Sequence, residues 1–322
     1  MRIFGTTRDG RPVHAVTIAA GDLTVTLLNY GAILQDVRLA GVAHGLTHGS
    51  DRLADYEGPM QYHGALVGPV VNRLTGAQAP IGGVMHRFVP NQDDRHLLHS
   101  GAVGTHAKLW EIVEQAPEAV TFGLVLPAGE GGHPGNRQVR ARFSVTAPAT
   151  LTMEVTGETD ALTLLNFANH SYWNMDGSAR WDGHSLRVAA DRYLPVTDDV
   201  VPTGEVADVA GTAFDLRGGR VISVGDPAMD HNFCLSGARV PLRDVLWLRG
   251  TSGLEMTLAT TEPGVQVYDG RAAVRPGRAA HEGLAIEAQG WPDAPNHAGF
   301  PAITLAPGEV LRQVTQWRFA MA

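Results

Sequence analysis

Residues 139–155 read VRARFSVTAPATLTMEV, and their spacing decides the fold class. Val139, Ala141, Phe143 and Val145 alternate with polar or charged neighbours, and Leu151, Met153 and Val155 repeat the pattern. Successive strand side chains point to opposite faces, so this alternation predicts half-buried strands with one face on a core. The same period extends outward in both directions. Leu23, Val25 and Leu27 carry it near the start, and Val120, Phe122, Leu124 and Leu126 just before the quoted run. Leu254, Met256 and Leu258 continue it, and VTQWRFA at 314–320 closes the chain. Turn clusters at 128–136 (AGEGGHPGN), 157–160, 217–220 and 261–264 separate the strands. Helical spacing is nearly absent. The best candidate covers 50–56, with Ser50 or Asp51 as N-cap. No internal repeat at a fixed period is found, which argues against propellers and solenoids. Segment 194–205 is the least patterned, yet its Leu, Val and Pro read as packed loop rather than linker. The expectation is an all-β chain: one large antiparallel β-sandwich with few short helices, a single domain over residues 1–322.

Composition narrows the function classes. The chain is 44% hydrophobic and 18% charged, enough apolar content for a sizeable core. Its formal net charge of −8, without a run of Lys or Arg, repels polyanions, so neither nucleic acid nor an anionic membrane is an expected partner. A single cysteine, Cys234, excludes an internal disulfide and any multi-cysteine metal cluster. The first residues show no apolar signal core and no transmembrane-length apolar run follows, which makes the cytoplasm the default compartment. The sequon at Asn169 is then a coincidence.

Several motifs carry no chemistry. The glycines at 129, 131 and 132 lack the helix a phosphate loop needs. His96 and His99 share an H-x-x-H spacing, but no matching third and fourth ligand is evident, and no metal is expected. Other stretches concentrate polar groups where a sheet does not need them. NFANHSYWNM at 166–175 packs His170 among amides and the rings of Tyr172 and Trp173, a palette suited to sugar faces and hydroxyls as well as to a satisfied core histidine. Asp230 opens a DHNF run that reads equally as a pocket lip or a turn. Asn72 and Arg73 follow an apolar run, where an arginine either clamps a hydroxyl or pairs with a carboxylate. In LAIEAQGWPDA at 284–294, Glu287 sits in an alternating apolar strand that breaks at Gly290, either as a solvated residue or as the wall of a pocket.

Taken in order, these segments resemble the aldose 1-epimerase (galactose mutarotase) family. The markers are NYGAILQDVRL at 29–39, VVNR at 70–73, LLHSG at 97–101, GEGGHPGN at 129–136, NHSYWN at 169–174, YLPVTDDVVPTGEV at 193–206, GTAFDLR at 211–217, DHNF at 230–233, PGVQVYDG at 263–270 and IEAQGWPDAPN at 286–296. No single one is diagnostic; their order over most of the chain is. The resemblance implies a galactose mutarotase-like supersandwich and a cofactor-free enzyme that interconverts the α and β anomers of a free monosaccharide. It further implies Glu287 as general base, His170 as general acid and His99 as a second histidine near the reacting end of the sugar. Asn72, Arg73, Asp230 and Gln266 would hold the hydroxyls. Two departures stand on the binding side: Pro69 where the family often has arginine, and Ser100 where it has a second glycine.

Ring opening needs a proton removed from the C1 hydroxyl and one delivered to the ring oxygen, and closure reverses both, so one base and one acid suffice. Ordinary pKa values of about 4.3 for Glu and 6.5 for His leave Glu287 ionised and His170 partly protonated near neutrality. Two other functions fit the same residues: a glycoside hydrolase pairing Glu287 with Asp230, and a non-catalytic sugar-binding protein using Trp173, Arg73 and Asp230.

Overall fold

The computed structural model describes residues 1–321. Its largest layer is a nine-stranded sheet. From one edge it runs Glu111–Ala116, Ala119–Leu126, Arg137–Thr146, Thr150–Thr159, Leu311–Met321, Leu254–Thr260, Arg243–Arg249, Ser185–Val188 and Arg220–Val221. Every pairing in it is antiparallel. The two strands of the quoted run pair in unbroken register, Phe143 opposite Met153. Their alternating apolar set, from Val139 to Val155, is buried in the main core.

A six-stranded sheet faces this layer, in the order Tyr172–Trp173, Leu284–Gln289, Gly264–Tyr268, Asp230–Cys234, Arg192–Tyr193 and Ala207–Asp208. Phe233, Val265, Val267, Leu284, Ile286 and Ala288 enter the same core as Phe143 and Val155. The two sheets therefore stack as a sandwich, and a four-stranded sheet from Arg2 to Leu39 adds Val16, Ile18 and Val25 to it. Among the described residues the α-helical content is one four-residue turn, Leu53–Tyr56. This is the large antiparallel β-sandwich with few short helices that the alternation predicted.

Two local expectations are corrected. The helix begins at Leu53 with Arg52 in the cap position. Ser50 does not cap it: its Oγ accepts from Arg52 N at 3.1 Å and donates to Asp55 at 2.5 Å. Residues 157–159 are strand, not turn, paired with 137–139. Gly157 is there for space, since a Cβ would lie 2.9 Å from Leu165.

The strand Leu284–Gln289 is buried along its whole length. It stops where Asn166 clamps Gly290, accepting from its N–H at 2.8 Å and donating to its carbonyl at 3.3 Å. Trp291 then packs in a second cluster with Ile303 and Phe300, and its Nε1 donates to the Pro263 carbonyl at 2.9 Å. Asp293, in a left-handed conformation at φ 57°, accepts from Thr75 N and Oγ1 and donates its own N–H to the Arg73 carbonyl. Trp291→Ala should lower unfolding free energy by about 3–5 kcal/mol, read from urea denaturation, because it removes a buried ring and a satisfied indole N–H together.

Candidate active site

Parity on the six-stranded sheet builds the site. Where Leu284, Ile286 and Ala288 face the core, Glu287 faces the other way. Val265 and Val267 are core residues, so Gln266 and Tyr268 share the face of Glu287; Phe233 is core, so Asp230 and Asn232 do too. Register brings them side by side: Gln266 lies opposite Glu287, Asn232 opposite Gln266, and Asp230 opposite Tyr268. Tyr172, the neighbour of core residue Trp173, joins the same face opposite Ala285.

Loops close this face into a cavity of about 370 Å³ bordered by Glu287, His170, His99, Asn72, Arg73 and Asp230, together with Tyr62, His63, Tyr172, Tyr268, Arg271 and Val200. His170 Nε2 stands 3.5 Å from Glu287 Oε1, with both side chains almost wholly buried. His170 Nδ1 and Glu287 Oε2 have no hydrogen-bond partner among the described residues. His99, at φ 53°, donates its N–H to the Asn72 carbonyl and accepts the Asn72 N–H on Nδ1 at 3.1 Å, so its proton sits on Nε2. Its ring meets His170 edge-on at 5.2 Å, and Tyr62 braces both rings, 4.6 Å from His99 and 5.9 Å from His170. Arg73 Nη2 lies 3.5 Å from Asp230 Oδ2, and Gln266 Nε2 donates to Asp230 Oδ1 at 2.6 Å. Gln266 thus stands behind Asp230, bordering a small void rather than the main cavity.

Other residues singled out in the sequence lie elsewhere. Trp173 is fully buried against Trp317 and Phe319 in the core, so it offers no ring to a ligand. Asn169 is buried with its amide on the Gly64 carbonyl at 2.7 Å. Ser100 Oγ bridges the N–H and carbonyl of Val70, and Pro69 takes the Asn166 N–H on its carbonyl; neither side chain borders the cavity. His96 turns away to Asp199 and the Gly76 N–H. Among the described residues no three His, Cys, Asp or Glu side chains converge as a metal site.

Burial governs the electrostatics. It pushes the Glu287 carboxyl well above the ordinary range, helped by Asp230 and opposed by Arg73. It lowers His170 to about 4. The ionised glutamate does not hold an imidazolium beside it, as ordinary pKa values had implied, because desolvation of both groups outweighs their attraction. Burial likewise raises Asp230 against the pull of Arg73.

A family model described as aldose 1-epimerase matches residues 14–318. The chain belongs to the aldose 1-epimerase family. It is 32% identical to mouse galactose mutarotase, covering 97% of this chain and 96% of that protein. It is 30% identical to the aldose 1-epimerase of Escherichia coli K12 with the same coverage. The crystal structure of an aldose epimerase homologue from C. elegans superposes with a TM-score of 0.89 at 28% identity, covering 96% of this chain and 99% of that one. Membership of the aldose 1-epimerase family makes the chain an isomerase.

Within this aldose 1-epimerase fold, sequence reading had passed over Tyr62, His63, Val200, Tyr268 and Arg271. Tyr268 was recoverable, being two residues from Gln266 on one strand. Tyr62 and His63 come from an unpatterned loop, and no local signal marks them.

Eight histidines, His48, His63, His99, His106, His133, His170, His184 and His231, are held below their ordinary pKa, each chiefly by burial. The unfolded chain takes up these protons below about pH 6.5 while the folded one refuses them, so stability falls as pH drops toward about 4. Glu287 and Asp230, raised by burial, act in the opposite sense over the same window and offset only part of it. Each uncompensated proton is worth about 1.4 kcal/mol per pH unit, so the urea midpoint should drop steeply between pH 6.5 and 5. A midpoint that stays level there would refute the buried neutral histidines.

Proposed function

We propose that this chain interconverts the α and β anomers of a free aldose, such as galactose or glucose, by acid–base ring opening and closure. The observation that carries the reading is the buried His170–Glu287 pair, 3.5 Å apart, on the wall of a cavity that also presents Asn72, Arg73 and Asp230. Glu287 takes the C1 hydroxyl proton; the C1–O5 bond opens as O5 takes a proton from His170, leaving the aldehyde. Rotation about C1–C2 shows the other carbonyl face, and the two transfers reverse. His99, neutral with its Nε2 proton free, donates near the reacting end, while Asn72, Arg73 and Asp230 orient the hydroxyls and Gln266 fixes Asp230. The single reduced cysteine, Cys234, is compatible with work in the cytoplasm.

The pair's proton count suits a reversible shuttle. The free site holds the neutral pair; as the sugar binds, its single proton passes from Glu287 to His170, and ring opening returns the pair to the neutral form, so one proton is shared throughout. Burial favours the neutral form, which is the form that accompanies the open-chain aldehyde, the species of higher energy. The competing hydrolase needs Asp230 free, but its two oxygens are engaged by Gln266 and Arg73. Mutarotation without release of sugar from an aryl glycoside distinguishes the two.

Glu287→Gln and His170→Asn should each lower kcat about 10²–10⁴-fold with the fold intact, measured by polarimetry on freshly dissolved α-glucose and α-galactose. Retention of more than about a third of wild-type rate removes that residue from its role, and a purely binding protein would show no rate to lose. The pH profile follows the one-proton state of the pair. Activity should fall through about pH 4, where a second proton arrives on His170. It should fall again at higher pH as Glu287, whose carboxyl burial raises above the ordinary range, loses its proton.

A further inference from the structure

We infer that Val200 is a specificity-determining residue, a strained apolar partition that limits which hydroxyls of the sugar can carry a substituent. The inference rests on the sugar occupying the cavity as proposed above. Val200 belongs to the tight turn 197–201, closed by Val200 N–H to the Thr197 carbonyl and Thr197 N–H to the Val201 carbonyl, both 2.9 Å. Its φ is 61°, a left-handed conformation that a β-branched side chain almost never takes without surrounding structure to impose it.

That structure is the fastening next to it. The Asp199 carboxylate binds Arg95 Nη1 at 2.5 Å and lies 3.4 Å from His96 Nε2. The Asp199 carbonyl accepts from Gln92 Nε2 at 3.2 Å, and Gln92 Oε1 accepts from Arg73 Nε at 2.9 Å. The turn is therefore tied to the arginine that meets Asp230. What this holds in place is a half-buried valine that joins none of the core clusters. A buried core contact does not explain the strain.

Its position does. Val200, Asn72 and Asp230 border the main cavity and also a void of about 10 Å³ that reaches Gln266 and Leu194. The void has room for about one water. Val200 is the apolar partition between the two spaces, set among groups that would bind hydroxyls. An isopropyl group makes no hydrogen bond to a hydroxyl and excludes by volume. Without it, the vacated space and the void together accommodate a small alkyl group. The wild-type cavity accordingly admits an aldose with bare hydroxyls at the Asn72–Asp230 end and rejects its ether there.

The test uses galactose and glucose and their 3-O-, 4-O- and 6-O-methyl ethers, all with C1 free, against wild type, Val200→Gly and Val200→Ala. Binding is read by NMR titration and turnover by anomeric exchange. In Val200→Gly at least one ether should gain about tenfold or more relative to its parent sugar, in Kd and in KM rather than kcat, with Val200→Ala intermediate. Glycine also accepts the left-handed backbone, so this variant should fold at least as stably as wild type. Ether-to-parent ratios that stay within about twofold for every ether overturn the role of Val200. Sugar binding without mutarotation in wild type sinks the catalytic reading alone, since the binding ratio still reports on Val200; no sugar binding in wild type sinks both.

Discussion

Removing a carboxylate from water costs several kcal/mol even after the protein relaxes, and Glu287 sits on a strand with no solvent face. One side of that strand is the core of the sandwich, and the other closes the cavity. Among the described residues no guanidinium or ammonium pairs with Glu287: Arg73 acts from a distance and is itself engaged with Gln92 and Asp230. The nearest partner is an imidazole that is equally dry. Two such groups, each poorly able to hold charge, share a proton more readily than they hold an ion pair. The sandwich thus sets the electrostatics of the proposed catalytic pair by the same burial that holds its sheets together.

The rigid surroundings of the pair follow from that arrangement. In the proposed reaction a proton moves between groups 3.5 Å apart and depends on small displacements, which the flanking elements restrict. Asn166 fixes the strand's end at Gly290, Asp293 reaches back to Thr75 and Arg73, and the rings of Tyr62 and His99 wall the imidazole. None of these groups needs to touch a sugar to matter.

Much of this was legible in the residues. Period-two spacing from Leu23 to Phe319 gave the strands directly, and the parity of Leu284, Ile286 and Ala288 already turned Glu287 away from the core. The same parity, applied to Tyr172 and Trp173, would have sent the tryptophan inward, whereas composition alone grouped it with the sugar-facing rings. Cavity walls from irregular segments were not legible. Tyr62 and Val200 reach the cavity through hydrogen bonds between loops far apart in sequence, and such bonds leave no periodicity. Protonation states were also misjudged, because solution pKa values describe a wet side chain and the depth of burial emerges only from the assembled sheets.

The neutral histidines have a consequence for the molecule as a colloid. The sequence gives an isoelectric point near 5.9 when every side chain titrates as though exposed. In the folded protein eight histidines decline the protons that this figure counts, while Glu287 and Asp230 keep extra ones. The native particle therefore remains an anion at the pH where its unfolded chain is neutral. Folded and unfolded molecules migrate differently in a mildly acidic field, and self-repulsion protects the native form where the denatured form is least soluble.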